Sequence, residues 1–224
     1  MSTILNIDTS METAGVSIAK NGVIQSFLIN TIQKEHASFL HNAIKKLLTE
    51  SSTDIKQIDA IAVTNGPGSY TGLRVGLASA KGLCYALNKP LITIGTLNAL
   101  ATAAIDSSKE IAARSALYCP MIDARRLEVY TAVFDNNMTE ILQASAMILQ
   151  ERSFEQILEN NQVLFFGSGS KKWNGIVKSG NAIFLNELDI TTAVCQLSFN
   201  KFVNNNFTDL TYSEPLYIKE FFSP

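Results

Sequence analysis

The stretch AVTNGPGSYTGLRVGLASAKGLCYAL, residues 62–87, ends a short apolar run in a Gly-Pro-Gly loop and passes at once into a helical pattern crowded with Gly, Ala and Ser. Three readings of it are open. A glycine loop opening a helix suits an anion, because the unpaired N–H groups of the helix N-terminus and its dipole both favour negative charge. The spacing meets neither phosphate fingerprint. The form G-x-x-x-x-G-K-[ST] needs a lysine and a hydroxyl where Leu73 and Arg74 follow Gly72, and G-x-G-x-x-G is lengthened here to G-x-G-x-x-x-G. A second reading is a structural turn, with Pro67 fixing its own φ, Gly68 adopting unusual dihedrals and Ser69 or Thr71 capping the helix. The third lies in the helix: Gly72, Gly76 and Ala80 form one line at i, i+4, i+8, and Ala78, Gly82 and Ala86 another. Glycine in a helix costs about 0.8–1.0 kcal/mol relative to alanine, so Gly76 and Gly82 together give up about 2 kcal/mol that something must offset. One line against a sheet accounts for part of this, and the other could accept a helix of a second protein.

Working outward, TILNIDTS reads as a buried strand, and AGVSIAK and VIQSFLIN flank Asn21-Gly22, the strongest short hairpin signal. HASFLHNAIKKLLTES places Phe39, Leu40, Ala43, Ile44, Leu47 and Leu48 at helical spacing, which predicts an amphipathic helix over 37–48. IDAIAVTN is a strand, LITIG another, and TLNALATAAI a helix with Thr96 as N-cap, so the first part runs βββαβαβα. The polar stretch at 107–115 marks a boundary, and strands resume at ALYCPMID and LEVYTAVF around a turn at Ala124-Arg125-Arg126. SFEQILE follows as helix, QVLFFGSGS as strand and glycine turn, ITTAVCQLSFNKF as a late helix, and SEPLYIKEFFSP as an extended tail. The expectation is two lobes, 1–107 and 108–224, whose similar element order suggests a duplication decayed beyond sequence recognition.

The composition agrees with compact lobes: of 224 residues 46% are hydrophobic and 17% charged. A net charge of −2 leaves no dominant basic surface, so any nucleic acid is expected to be held through a partner. No basic n-region precedes an apolar block at the start, and no stretch approaches the roughly 18 apolar residues of a membrane span, so a cytoplasmic protein without membrane contact is expected. Cys84, Cys119 and Cys195 lie far apart and read as buried thiols. His36 and His41 are five residues apart, about 140° around a helix, which does not suit one metal ion. Asp8-Thr9-Ser10 at a strand end is either a turn former or the acidic group of an actin-type nucleotide site. Gly167 and Gly169 in GSGS could approach a phosphate, although no acidic residue immediately precedes them. DARRLEVY at 123–130 reads as a solvated charged turn, with Asp123 and Arg125 as candidates for a cleft. No G-x-S-x-G occurs and no nucleophile-base-acid triad is suggested.

Taken in order, ILNIDTS, KEHASFLHNAI, NGPGSYTGLRVGLASAKGL, DARRLEVY, FFGSGS and EPLYIK resemble the TsaB (YeaZ) family of the actin-like ATPase (ASKHA) superfamily over nearly the whole chain. The resemblance implies an α/β fold of two RNase H-like lobes, each a mixed sheet flanked by helices. It implies a non-catalytic scaffold for threonylcarbamoyladenosine formation in tRNA, paired with the catalytic paralogue TsaD and assisted by the ATPase TsaE, with tRNA reached through the complex. Without the partner, homodimer and monomer both stay open, an exposed apolar helix face favouring the former. No intrinsic cofactor is implied, ATP or ADP entering only in the assembly. Its partner helices fall on 37–48 and 71–87, which marks Phe39, Ala43, Leu47, Gly72, Gly76 and Ala80 as interface candidates and Asp8, Thr9, Ser10, Gly167 and Gly169 as nucleotide-proximal ones. Tyr70 stands where Phe is common and Lys219 where Arg is common. The rival readings are an autonomous ASKHA transferase or kinase using Asp8, and a glycopeptidase, for which no metal or nucleophile is found.

Overall fold

The computed structural model describes residues 1–32, 35–109 and 115–219. The expected boundary stretch at 107–115 and the last residues of the tail therefore lie partly outside the described residues. The chain forms two compact units, Met1–Thr96 with Thr191–Leu216, and Leu97–Ile190 with the residues from Tyr217.

In the first unit β1 (Thr3–Asp8), β2 (Ala14–Lys20) and β3 (Val23–Asn30) form the antiparallel meander that the sequence predicts. Asn21 (φ 50°) and Gly22 (φ 79°) make the two-residue turn between β2 and β3, both in the left-handed region that Asn and Gly tolerate best. β4 (Ala60–Gly66) and β5 (Leu91–Gly95) run parallel to β1, giving the order β3-β2-β1-β4-β5. A parallel neighbour requires a crossover, supplied by α1 (His36–Glu50) before β4 and α2 (Tyr70–Leu87) before β5. Both helices cover one face of the sheet, where Leu5, Ile7, Val16, Ile18, Ile61 and Val63 meet Leu40, Ala43, Ile44, Leu47, Leu77 and Ala80 in one buried cluster.

The opposite face carries buried polar side chains and is covered by α6 (Thr191–Val203). Ser198 Oγ donates to Asn6 Oδ1 at 2.6 Å, Asn6 Nδ2 to Cys195 Sγ at 3.4 Å, and Ser17 Oγ lies 3.2 Å from Cys195 Sγ. A buried polar atom without a partner is costly, so these bonds fix the register of α6 on the sheet. The helix that follows β10 in sequence thus belongs to the first unit, whereas the sequence reading divides the chain once, after residue 107. The helix α3 (Thr96–Ser107) that follows β5 is counted, from Leu97, with the second unit.

The second unit repeats the topology. β6 (Leu117–Asp123), β7 (Glu128–Phe134) and β8 (Glu140–Ile148) form an antiparallel meander, and β9 (Val163–Phe166) and β10 (Ala182–Phe184) run parallel to β6 in the order β10-β9-β6-β7-β8. Read from β8, that order matches the first sheet strand for strand. The crossovers are α4 (Glu155–Asn160) and α5 (Ser170–Asn174), and Phe154, Phe165 and Trp173 meet edge to face at 5.4–6.0 Å between ring centroids. The sequence does not reveal β8: it is an edge strand, largely solvated, without the apolar alternation of a half-buried strand.

Candidate functional site

The opening loop and helix lie directly on the turn that ends β1. Ser69 N donates to Ser10 O at 2.7 Å, and Thr9 Oγ1 donates to Gly72 O at 2.7 Å. A Cβ at Gly68 would run into the carbonyl of Ser10, one at Gly72 into the carbonyl of Thr9, and one at Gly76 into the Thr9 hydroxyl. Gly66 has a φ of +114°, and a Cβ there would stand 2.8 Å from Leu216 O. Leu216 N in turn donates to Asn65 O at 2.7 Å, so residues near the end of the unit strap the loop. Lys81 holds the same strap, donating to Thr211 O at 3.2 Å and Ser213 O at 3.1 Å. Ser69 caps α2 as expected, its hydroxyl accepting from Gly72 N at 3.3 Å.

These contacts bear on the nucleotide expectation for Asp8, Thr9 and Ser10. Asp8 Oδ1 accepts from Ser10 N at 3.0 Å, Ser10 Oγ at 2.7 Å and Thr64 Oγ1 at 2.6 Å. Thr9 and Ser10 are buried. The carboxylate oxygen thereby joins the ends of β1 and β4, and the Ser69 N–H that a phosphate would need is already bonded to Ser10. Within this chain Asp8 Oδ1 and the Ser69 N–H are thus engaged by its own turn. Among the described residues no group of three or more His, Cys, Asp and Glu side chains is placed to hold a metal ion. His36 is buried and its Nε2, 2.9 Å from the carbonyl of Glu12, must carry the proton there; His41 is exposed.

The two lines of small residues on α2 face opposite ways. Gly72, Gly76 and Ala80 are buried, together with Leu73, Leu77 and Cys84, against the turn and the sheet. The interface expected at Gly72, Gly76 and Ala80 is therefore corrected: that line makes room for this chain's own Thr9. On α1, Ala43 and Leu47 are likewise buried in the sheet cluster, and Phe39 is half-buried beside it. The outward face of α2 consists of Thr71, Arg74, Ala78, Gly82, Tyr85 and Ala86. Tyr85 is 84% exposed, and a Cβ at Gly82 would meet nothing within 4 Å. Arg74 stacks over the Tyr70 ring at 4.0 Å, and on the outward side of α1 lie His41, Asn42, Lys45 and Lys46. Periodicity contained this alternative line, but only the position of the sheet decides which line is inward.

In the second unit the glycine turn repeats the first unit's arrangement. Gly169 N donates to Met121 O at 2.9 Å, and a Cβ at Gly167 (φ +90°) would stand 2.5 Å from the same carbonyl. Gly167 and Gly169 thus let the loop lie against the end of β6, as Gly68 and Gly72 do at the end of β1. Asp123 N donates to Ser168 Oγ at 3.1 Å, and Lys172 Nζ reaches Asp123 Oδ1 at 2.6 Å.

Two five-stranded mixed sheets of one repeated strand order, each with crossover helices, define an actin-like ATPase fold. EutJ from Carboxydothermus hydrogenoformans shares that fold with a TM-score of 0.52 at 7% identity, over 89% of this chain and 90% of its own. The match to YeaZ from Pseudomonas aeruginosa is much closer, with a TM-score of 0.78 at 23% identity over 97% of this chain and 100% of that one. The family model described as TsaD, tRNA N6-adenosine threonylcarbamoyltransferase, matches residues 24–206. The tRNA threonylcarbamoyladenosine biosynthesis protein TsaB of Bacillus subtilis is 30% identical over 168 residues, 74% of this chain and 70% of the relative. The chain belongs to the TsaB (YeaZ) family, within this wider group of TsaD-like proteins.

Proposed function

We propose that this chain is a non-catalytic subunit of the system that makes threonylcarbamoyladenosine in tRNA, binding a catalytic paralogue of the TsaD type and, with it, an ATPase of the TsaE type. Membership in the TsaB family supports the place in tRNA modification. The observation that carries the subunit reading is the outward line Ala78-Gly82-Ala86 beside exposed Tyr85. The cost of Gly76 is offset inside the chain by the approach of Thr9, whereas nothing within 4 Å offsets that of Gly82. A helix of the paralogue lying along this line supplies the missing contact, and Tyr85 supplies an aromatic anchor of the kind that dominates interfaces. Binding the folded paralogue stabilises it by mass action without any reacting group from this subunit. ATP or ADP is then held in the assembly and not by the loop at 66–72, whose Ser69 N–H is already bonded to Ser10.

Gly82→Leu tests this reading. Leucine at an exposed, open helical position keeps the fold and fills the line, so the unfolding midpoint should hold or rise while affinity for the TsaD-type paralogue falls by at least about tenfold. Wild-type affinity in that variant refutes the interface. Saturable Mg-ATP binding by the isolated chain in calorimetry would favour the autonomous transferase instead.

A further inference from the structure

The turn between β6 and β7 holds two consecutive arginines in a conformation that side chains rarely adopt: Arg125 has a φ of 72° and Arg126 of 49°. Left-handed backbone brings Cβ too close to the carbonyl oxygen, which is why Gly, Asn or Asp normally occupy such positions. Asn21-Gly22, in the turn between β2 and β3, shows the residues that such backbone suits best.

The turn is firmly held. Asp123 Oδ1 accepts from Arg125 N at 2.6 Å, Ala124 N donates to Glu128 O at 3.0 Å, and Glu128 N to Arg125 O at 3.0 Å. Leu149 N donates to Leu127 O at 2.8 Å and ties the tip to the residue after β8. Both carboxylates beside the arginines are already matched by lysines: Lys172 Nζ lies 2.6 Å from Asp123, and Lys219 Nζ 2.8 Å from Glu128. Among the described residues neither guanidinium has an ion-pair partner, and both arginines are exposed. Two positive forks therefore project from a fixed backbone turn, on a chain whose net charge is −2.

We infer that the Arg125-Arg126 turn is a contact for the phosphate backbone of RNA, with one phosphate for each guanidinium. Guanidinium forks match phosphate oxygens in a bidentate way and require no apolar surroundings. A protein partner would need an apolar anchor of some size, and Leu127 is the one exposed apolar side chain of the turn itself. The choice of RNA rests on the proposed place in tRNA modification. It adds to that reading a direct contribution of this subunit to holding the tRNA, where the sequence pointed to a partner alone.

The test measures binding of unmodified tRNA to the reconstituted complex with the TsaD-type paralogue, as a function of salt, for three forms of this chain. The Arg125→Gly/Arg126→Gly double variant removes both charges and suits the left-handed backbone, so its unfolding midpoint should be unchanged or higher. Its plot of log affinity against log salt should be shallower by about 0.7–0.9 for each arginine, so that the wild-type advantage shrinks roughly tenfold between about 50 and 200 mM salt. The Arg125→Lys/Arg126→Lys variant should keep most of the slope. An unchanged slope and affinity in the glycine variant overturn the assignment. Loss of the paralogue with an unchanged tRNA slope also overturns it, in favour of an acidic protein surface. If Gly82→Leu leaves assembly intact, the α2 interface fails whatever the slope does; if assembly behaves as proposed and the slope does not move, only the arginine contact falls.

Discussion

Three glycines of one helix should respond to the same substitution with different signs. At Gly82 the added methyl meets nothing within 4 Å, so Gly82→Ala gains the full propensity difference of about 0.8–1.0 kcal/mol. For a chain of 224 residues that corresponds to a rise of about 2–4 °C in Tm. At Gly76 the methyl displaces the buried Thr9 hydroxyl, which must give up its 2.7 Å bond to Gly72 O. That loss is about 0.5–1.5 kcal/mol, or 1–3 kcal/mol if a polar atom stays unpaired, against a propensity gain of about 1 kcal/mol, leaving Gly76→Ala neutral to about 2 kcal/mol less stable. At Gly72 the obstacle is the Thr9 carbonyl, part of a turn bonded on both sides, which cannot rotate away. Overpacking there should cost about 1–3 kcal/mol with little propensity gain at the first turn of the helix. Urea and thermal unfolding of the three variants should rank them Gly82→Ala, wild type, Gly76→Ala, Gly72→Ala in falling stability. A destabilised Gly82→Ala beside a neutral Gly72→Ala would mean that the inward and outward faces of α2 have been exchanged, and the interface reading would go with them.

Asp8 offers a second test. Asp8→Ala leaves the Ser10 and Thr64 hydroxyls without their acceptor and should cost about 1–3 kcal/mol, whereas Asp8→Asn keeps the accepting Oδ1 and should restore most of the stability. Because the carboxylate acts as a structural tie, Asp8→Asn should also support tRNA modification within a few-fold of wild type; a folded but inactive Asp8→Asn complex would place Asp8 in the chemistry. Burial pushes the Cys119 thiol from 9.0 up to about 12. The folded protein then keeps a proton that the unfolded chain loses above about pH 9, so this contribution is complete below that pH and is lost as pH rises through about 12. Urea midpoints measured between about pH 8 and 10.5 should fall more steeply for wild type than for Cys119→Ala, and parallel curves would contradict the burial argument.

Much of the first unit was legible because its signals are local. Asn21-Gly22 can form a left-handed turn with no help from the rest of the chain, and the apolar spacing from Phe39 to Leu48 specifies a helix by its own period. Ser69 at the start of α2 announces its cap in the same way. The edge strand β8 and the short α5 escaped, since neither carries a strong period of its own and both are positioned by neighbours.

The sequence by itself established that α2 carries two lines of small side chains and that each glycine in it needs a reason. It could not assign those reasons, because both lines have the same period and composition. Only the tertiary structure brings Thr9, more than sixty residues away, against Gly72 and Gly76 and leaves Gly82 open. The placement of α6 on the first sheet is decided in the same manner, by the bonds of Ser198 and Cys195 to Asn6 and Ser17. Local propensity depends on the next few residues, whereas burial of a face and satisfaction of a buried polar atom depend on which distant segment arrives there.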